Sequence, residues 1–158
     1  MKRYLIVKLL LLIGLIAFFA NCFVLPTDST LPFRTVFRDT TKKTSVRNLV
    51  QKDNVEIKRI LSIEPSDYEE IRFYKSNDIM LADEFLMVKF KSHDDWDPFR
   101  YAMEKHIEKI ADIYQDYRPD ESKKIKKYVV NIQGNYGYFY IGEDASKIAA
   151  QFADALEE

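Results

Sequence analysis

From Leu9 to Ala20 the chain carries no charged side chain. With Leu5–Val7 before it and Phe23–Leu25 after it, the apolar run extends from Tyr4 until Pro26 stops it. Only Lys8 and the Asn21-Cys22 pair interrupt it. About 22 residues of helix rise ~33 Å, enough to cross ~30 Å of hydrocarbon. Lys8, one turn in, can snorkel to the headgroups. Lys2 and Arg3 precede the run, so the N-terminus stays cytoplasmic and the remainder of the chain faces outward.

The same order of basic residues, apolar stretch and small residues also fits a secretory signal. Three fates are open to it. The segment is retained as an anchor, or Cys22 is lipidated, or the leader is cleaved and the rest released. Phe23, Val24 and Leu25 carry the run past a cleavage point and favour retention. For lipidation Ala20 suits its place, whereas Phe19 and Asn21 stand where a branched aliphatic and a small residue are wanted.

Cys22 is the single cysteine of the 158-residue chain, so the part beyond it has neither a disulfide nor a thiolate metal cluster. The net charge is -1, and setting aside Lys2, Arg3 and Lys8 leaves -4 for the remainder. A mildly acidic domain lacks the basic footprint of a nucleic-acid binder. Residues 1–25 therefore read as signal or anchor, 26–44 as a polar tether, and 45–158 as one extracytoplasmic domain. The tether is interrupted by Leu31, Phe33, Val36 and Phe37, which lie along either the domain or the bilayer.

Within the domain, Ser45 caps a short helix carrying Val46, Leu49 and Val50, and a second helical piece covers Val55 to Leu61. Alternation predicts strands at Glu70–Lys75 and Glu84–Lys91. Asp97-Pro98 opens the longest helix, with Phe99, Met103, His106, Ile107, Ile110 and Tyr114 on its apolar side. A short helix from Asp120, a strand at Tyr128–Ile132, a Gly134-Asn135 hairpin turn, a strand at Tyr136–Ile141 and an amphipathic helix from Ala145 complete the chain. The expected class is α+β: two layers, a mostly antiparallel four-stranded sheet with helices on one face, ordered β-β-α-β-β-α after short N-terminal helices.

The domain resembles a widespread family of bacterial domains of unknown function, found in lipoprotein-like or membrane-anchored proteins of Gram-positive organisms. The resemblance covers residues 45 to 158. It is carried by Glu70-Ile71-Arg72-Phe73-Tyr74-Lys75-Ser76, Glu84-Phe85-Leu86-Met87-Val88-Lys89 and Tyr117-Arg118-Pro119. The run from Val129 to Tyr136 and the helix start Glu143-Asp144-Ala145 add to it. It implies the fold and an envelope location and carries no catalytic residue over. The family's usual lipoprotein signal is cleaner than the one at Cys22.

Signals for chemistry are sparse. His106 reads as a core or boundary histidine. His93-Asp94-Asp95 superficially suggests metal ligands, but adjacent loop residues do not converge on one ion. Glu143 and Asp144 suit the positive end of the last helix, and Lys123-Lys124-Ile125-Lys126-Lys127 reads as a solvated surface. No cofactor is expected. If Ile71, Phe73, Leu86, Val88, Phe139 and Ile141 point inward, then Arg72, Tyr74, Met87, Lys89, Asn131, Tyr136, Tyr138 and Tyr140 point outward and form a candidate face for an envelope protein or glycan. The N-terminal helices or residues 31 to 37 covering that face is the alternative. The function expected is a membrane-tethered, non-catalytic binding domain; the competing one is an accessory enzyme acting on cell-envelope material.

Overall fold

The computed structural model describes residues 2–22, 27–116 and 118–157, with the backbone alone for residues 2–6, 17 and 19–22. The apolar run forms α1 (Lys2–Cys22). Its described large apolar side chains, from Val7 to Phe18, are each more than half exposed. Among the described residues no helix is long and apolar enough to cross a membrane.

The folded part is α+β. Five strands, β1 (Val50–Lys52), β2 (Glu70–Lys75), β3 (Glu84–Lys89), β4 (Val129–Gln133) and β5 (Tyr136–Ile141), make one antiparallel sheet in the order β1-β2-β3-β5-β4. The expected count of four missed β1, whose three residues are too short to show alternation. It pairs Val50 with Lys75 and Lys52 with Phe73. The expected helix at Ser45 is instead a 3-10 turn, Ser45–Asn48, that leads into β1. The β4–β5 hairpin turns at Gly134, whose φ of 54° suits glycine.

Helices cover both faces, which corrects the two-layer expectation. On one side α3 (Asn54–Leu61), α4 (Trp96–Tyr114) and α5 (Pro119–Ile125) bury Ile57, Leu61, Phe99, Met103 and Ile125 against Phe73, Leu86, Val88, Phe139 and Ile141. Asp53 and Glu56 close a reciprocal capping box that starts α3. On the other side α2 (Phe33–Thr40) and α6 (Ala145–Glu157) bury Phe33, Val36, Ile148 and Phe152 against Phe85, Met87, Tyr136, Tyr138 and Tyr140. The stretch expected to be a tether thus supplies a helix of the fold. Phe33, Val36, Phe37 and Thr40 share one helical face, and burying it outweighs the polar composition around it.

Candidate functional site

The expected tyrosine face is not a surface. Met87, Tyr136, Tyr138 and Tyr140 are buried, because α2 and α6 lie over that side of the sheet. Tyr138 meets Phe152 edge-on with ring centroids 4.8 Å apart. Two of the phenols spend their polar end at the margin of the layer. Tyr136 donates to the Leu31 carbonyl at 2.7 Å, and the Tyr140 hydroxyl lies 3.1 Å from Ser45 Oγ and accepts from the Asp144 amide. Burial, together with the nearby charges of Glu70 and Glu69, pushes the Tyr136 phenol up to about 12. Arg72, Tyr74, Lys89 and Asn131 keep partial exposure but are occupied by their neighbours. The Arg72 guanidinium lies over Phe37 at 5.3 Å, Tyr74 stacks on Phe37 and donates to Gln51, and Lys89 pairs with Glu69 at 2.8 Å. Asn131 sits opposite Tyr138 in the ladder.

The groups that converge lie under the opposite layer. Glu84 starts β3 on the same side as Leu86 and Val88, so its carboxylate enters the apolar layer and is fully buried. His106 comes down from α4 and its Nε2 meets Glu84 Oε2 at 2.6 Å. Lys75, paired with Glu84 across β2 and β3, holds the other carboxylate oxygen. Burial alone would raise the Glu84 carboxyl; the hydrogen bond and electrostatics of His106, with Lys75, outweigh it and hold the group below its ordinary value. An ionised carboxylate only accepts, so His106 Nε2 carries the hydrogen.

That leaves Nδ1 of His106 buried without a hydrogen-bond partner. The ring lines a pocket of about 350 Å³ between the last turn of α3 and α4, shared with Ser62, Tyr101, Lys105 and Lys109. An imidazole fixed by a carboxylate at one nitrogen and free at the other is half of a general-base arrangement. The other half is missing, since neither the Ser62 nor the Tyr101 hydroxyl bonds to the ring. A charged residue on the apolar side of β3, matched to a histidine on the apolar side of α4, was the sequence signal for this pair.

The remaining candidates resolve into structural roles. His93 Nε2 contacts Asp28 at 2.7 Å while its ring packs on Trp96, and Asp95 closes a capping box with Ser92. Among the described residues no group of three or more His, Cys, Asp or Glu could hold a metal ion. Asp144 Oδ2 accepts from the Ser45 amide at 2.7 Å, and its carbonyl accepts from the Ile148 amide of α6. The basic run is divided: Lys124 pairs with Asp83 and Glu121, and Ile125 is buried between lysines. The side chain of Cys22 lies outside the described residues.

The sequence pattern of a family described as a domain of unknown function (DUF4358) matches residues 42–142. Among curated proteins and among solved structures, nothing matches the chain.

Proposed function

The chain belongs to the DUF4358 family of domains of unknown function, and on that premise we propose that it is a membrane-tethered domain on the extracytoplasmic side that binds an envelope protein or glycan without transforming it. The observation that carries this reading is α1. Its described side chains Val7, Leu9, Leu10, Leu11, Leu12, Ile13, Leu15, Ile16 and Phe18 are apolar on every side and exposed. A helix apolar all round is at home in a protein core or in lipid. The cations Lys2, Arg3 and Lys8 precede or open that helix, which favours an outward-facing domain. Whether the leader is retained or Cys22 is acylated, the domain occupies the same side.

Binding is favoured over catalysis because Glu84 is committed to Lys75 and His106, and no hydroxyl is hydrogen-bonded to the free ring nitrogen of His106. With the tyrosine face buried, the pocket beside His106 is a concave surface open to a small envelope ligand. A second reading, an accessory enzyme on envelope material, draws on the same unpartnered Nδ1. It requires the substrate to bring the reacting group.

Protease added outside intact cells is expected to digest the domain, which stays with membranes after alkaline carbonate washing. The N-terminal mass then reads an intact leader or an acylated Cys22. A chain found soluble and protected inside the cell overturns the proposal. Turnover of envelope fragments that disappears in His106→Asn moves the assignment to the enzyme.

A further inference from the structure

The stretch that leaves the leader is strapped to one end of the sheet. Asp28 holds His93; the Ser29 amide donates to Asn135 Oδ1 at 3.0 Å, and Asn135 Nδ2 donates back to the Ser29 carbonyl at 3.1 Å. The Leu31 carbonyl then takes the Tyr136 hydroxyl. Gly134 is part of this fit, because a Cβ there would come within 2.5 Å of the Thr27 carbonyl oxygen. The strap begins at residue 27, and the apolar run ends at Leu25. Four residues, 23–26, lie between α1 and the strap, and the five steps from residue 22 to residue 27 span at most about 18 Å when fully extended.

All the strap contacts lie at one pole. Glu70, Lys89, Gln133 and Tyr136 are the strand residues at that end, in register with one another. Beyond them are the Gly134-Asn135 turn and Lys91, Ser92 and His93, which with Asp28 and Glu69 line a depression of about 470 Å³. The pole is polar and carries both signs of charge. Among the described exposed apolar residues outside α1, Val50, Ile79 and Met80 lie at or beyond the other end of the strands. The opposite end is roughly 17–20 Å away along the strands.

We propose that the β4–β5 turn and the His93 segment form a docking surface for the lipid headgroup layer, so that the domain stands on the membrane by this pole instead of swinging on a tether. The inference rests on the leader residing in the bilayer or being acylated at Cys22; in either case the same four residues or fewer join lipid to strap. A mixed-charge polar end, lined by Asp28, Glu69, Lys91 and His93, suits a layer of phosphates and amines.

The test uses the full chain reconstituted in phosphatidylcholine–phosphatidylglycerol vesicles bearing a headgroup acceptor dye. A donor is attached with a water-soluble maleimide at Asp94→Cys, beside the pole, or at Ile79→Cys, beyond the far end; the wild-type chain measures labelling of Cys22. Energy transfer from position 94 is expected to exceed that from position 79 by at least about twofold, given the separation along the strands. A flexible Gly-Ser insertion after Pro26 is expected to leave position 94 the stronger donor, because the pole itself meets the headgroups. Equal transfer in a chain that carbonate leaves in the membrane overturns the docked pole, as do two signals that converge when the linker is lengthened. A chain that carbonate releases overturns the membrane reading itself.

Discussion

The two faces of the sheet are made by the same strands and both are covered by helices, but they are built from different chemistry. Under α3, α4 and α5 the layer is Phe73, Leu86, Val88, Phe139 and Ile141, with one charged intrusion where Glu84 meets His106 and Lys75. Under α2 and α6 the layer contains Tyr136, Tyr138 and Tyr140 beside Phe85 and Met87. A phenol removes a large apolar ring from water and needs a partner for one polar atom. Tyr136 and Tyr140 find theirs at the rim, in Leu31, Ser45 and Asp144. Tyrosine on the second parity of a strand therefore does not mark a solvent face. Here it marks a covered face, on which segments 27–45 and 143–145 bring partners to the Tyr136 and Tyr140 hydroxyls.

If both faces are equally core, Phe33→Ala in α2 and Phe99→Ala in α4 each cost about 3–5 kcal/mol in urea unfolding. A Phe33 cost below about 1 kcal/mol, typical of an exposed site, would make α2 a loosely held cover and break the equivalence. The charged intrusion distinguishes the faces next. Glu84→Gln is expected to cost about 3 kcal/mol, since it leaves Lys75 without its buried counter-charge. Its pH dependence has a definite sign. The folded carboxyl lies below its ordinary 4.5, so its stabilisation is present above that pH and is lost as pH falls through the lower folded value. The Gln variant should lose this acid-limb slope in thermal melts, while Phe33→Ala keeps it. The smallest effect belongs to the tyrosine face: Tyr136→Phe removes one hydrogen bond and costs about 0.5–1.5 kcal/mol. Tyr136 titrates at about 12 against an ordinary 10.0, so its contribution is complete below pH 10 and lost as pH rises through 12. Ultraviolet titration of wild type against Tyr136→Phe reads that step directly, and a phenol ionising near 10 would contradict its burial.

Much of the architecture was legible in local chemistry. Alternation located β2 and β5 to the residue, and Gly134 gave the hairpin its turn. Helical spacing outlined the apolar side of α4, including His106. The helix α2 was partly legible: positions 33, 36, 37 and 40 have helical spacing, but Pro32 and the surrounding threonines gave them the look of a linker. β1 was not legible, because three residues carry no period and its place is set by pairing with β2. The Glu84–His106 contact joins residues 22 apart in sequence, and nothing local names one as the partner of the other.

The sequence by itself determined an apolar run near the N-terminus, an α+β pattern of strands and helices, and a fold without disulfides beyond Cys22. Each arises from periodicity or composition within a window of a few turns. Tertiary structure alone decided which side of the sheet is buried, since alternation separates two faces without saying what covers either. It also decided that residues 27–40 belong to the fold, because the groups that bind them, His93, Asn135 and Tyr136, lie 65 to 106 residues away along the chain.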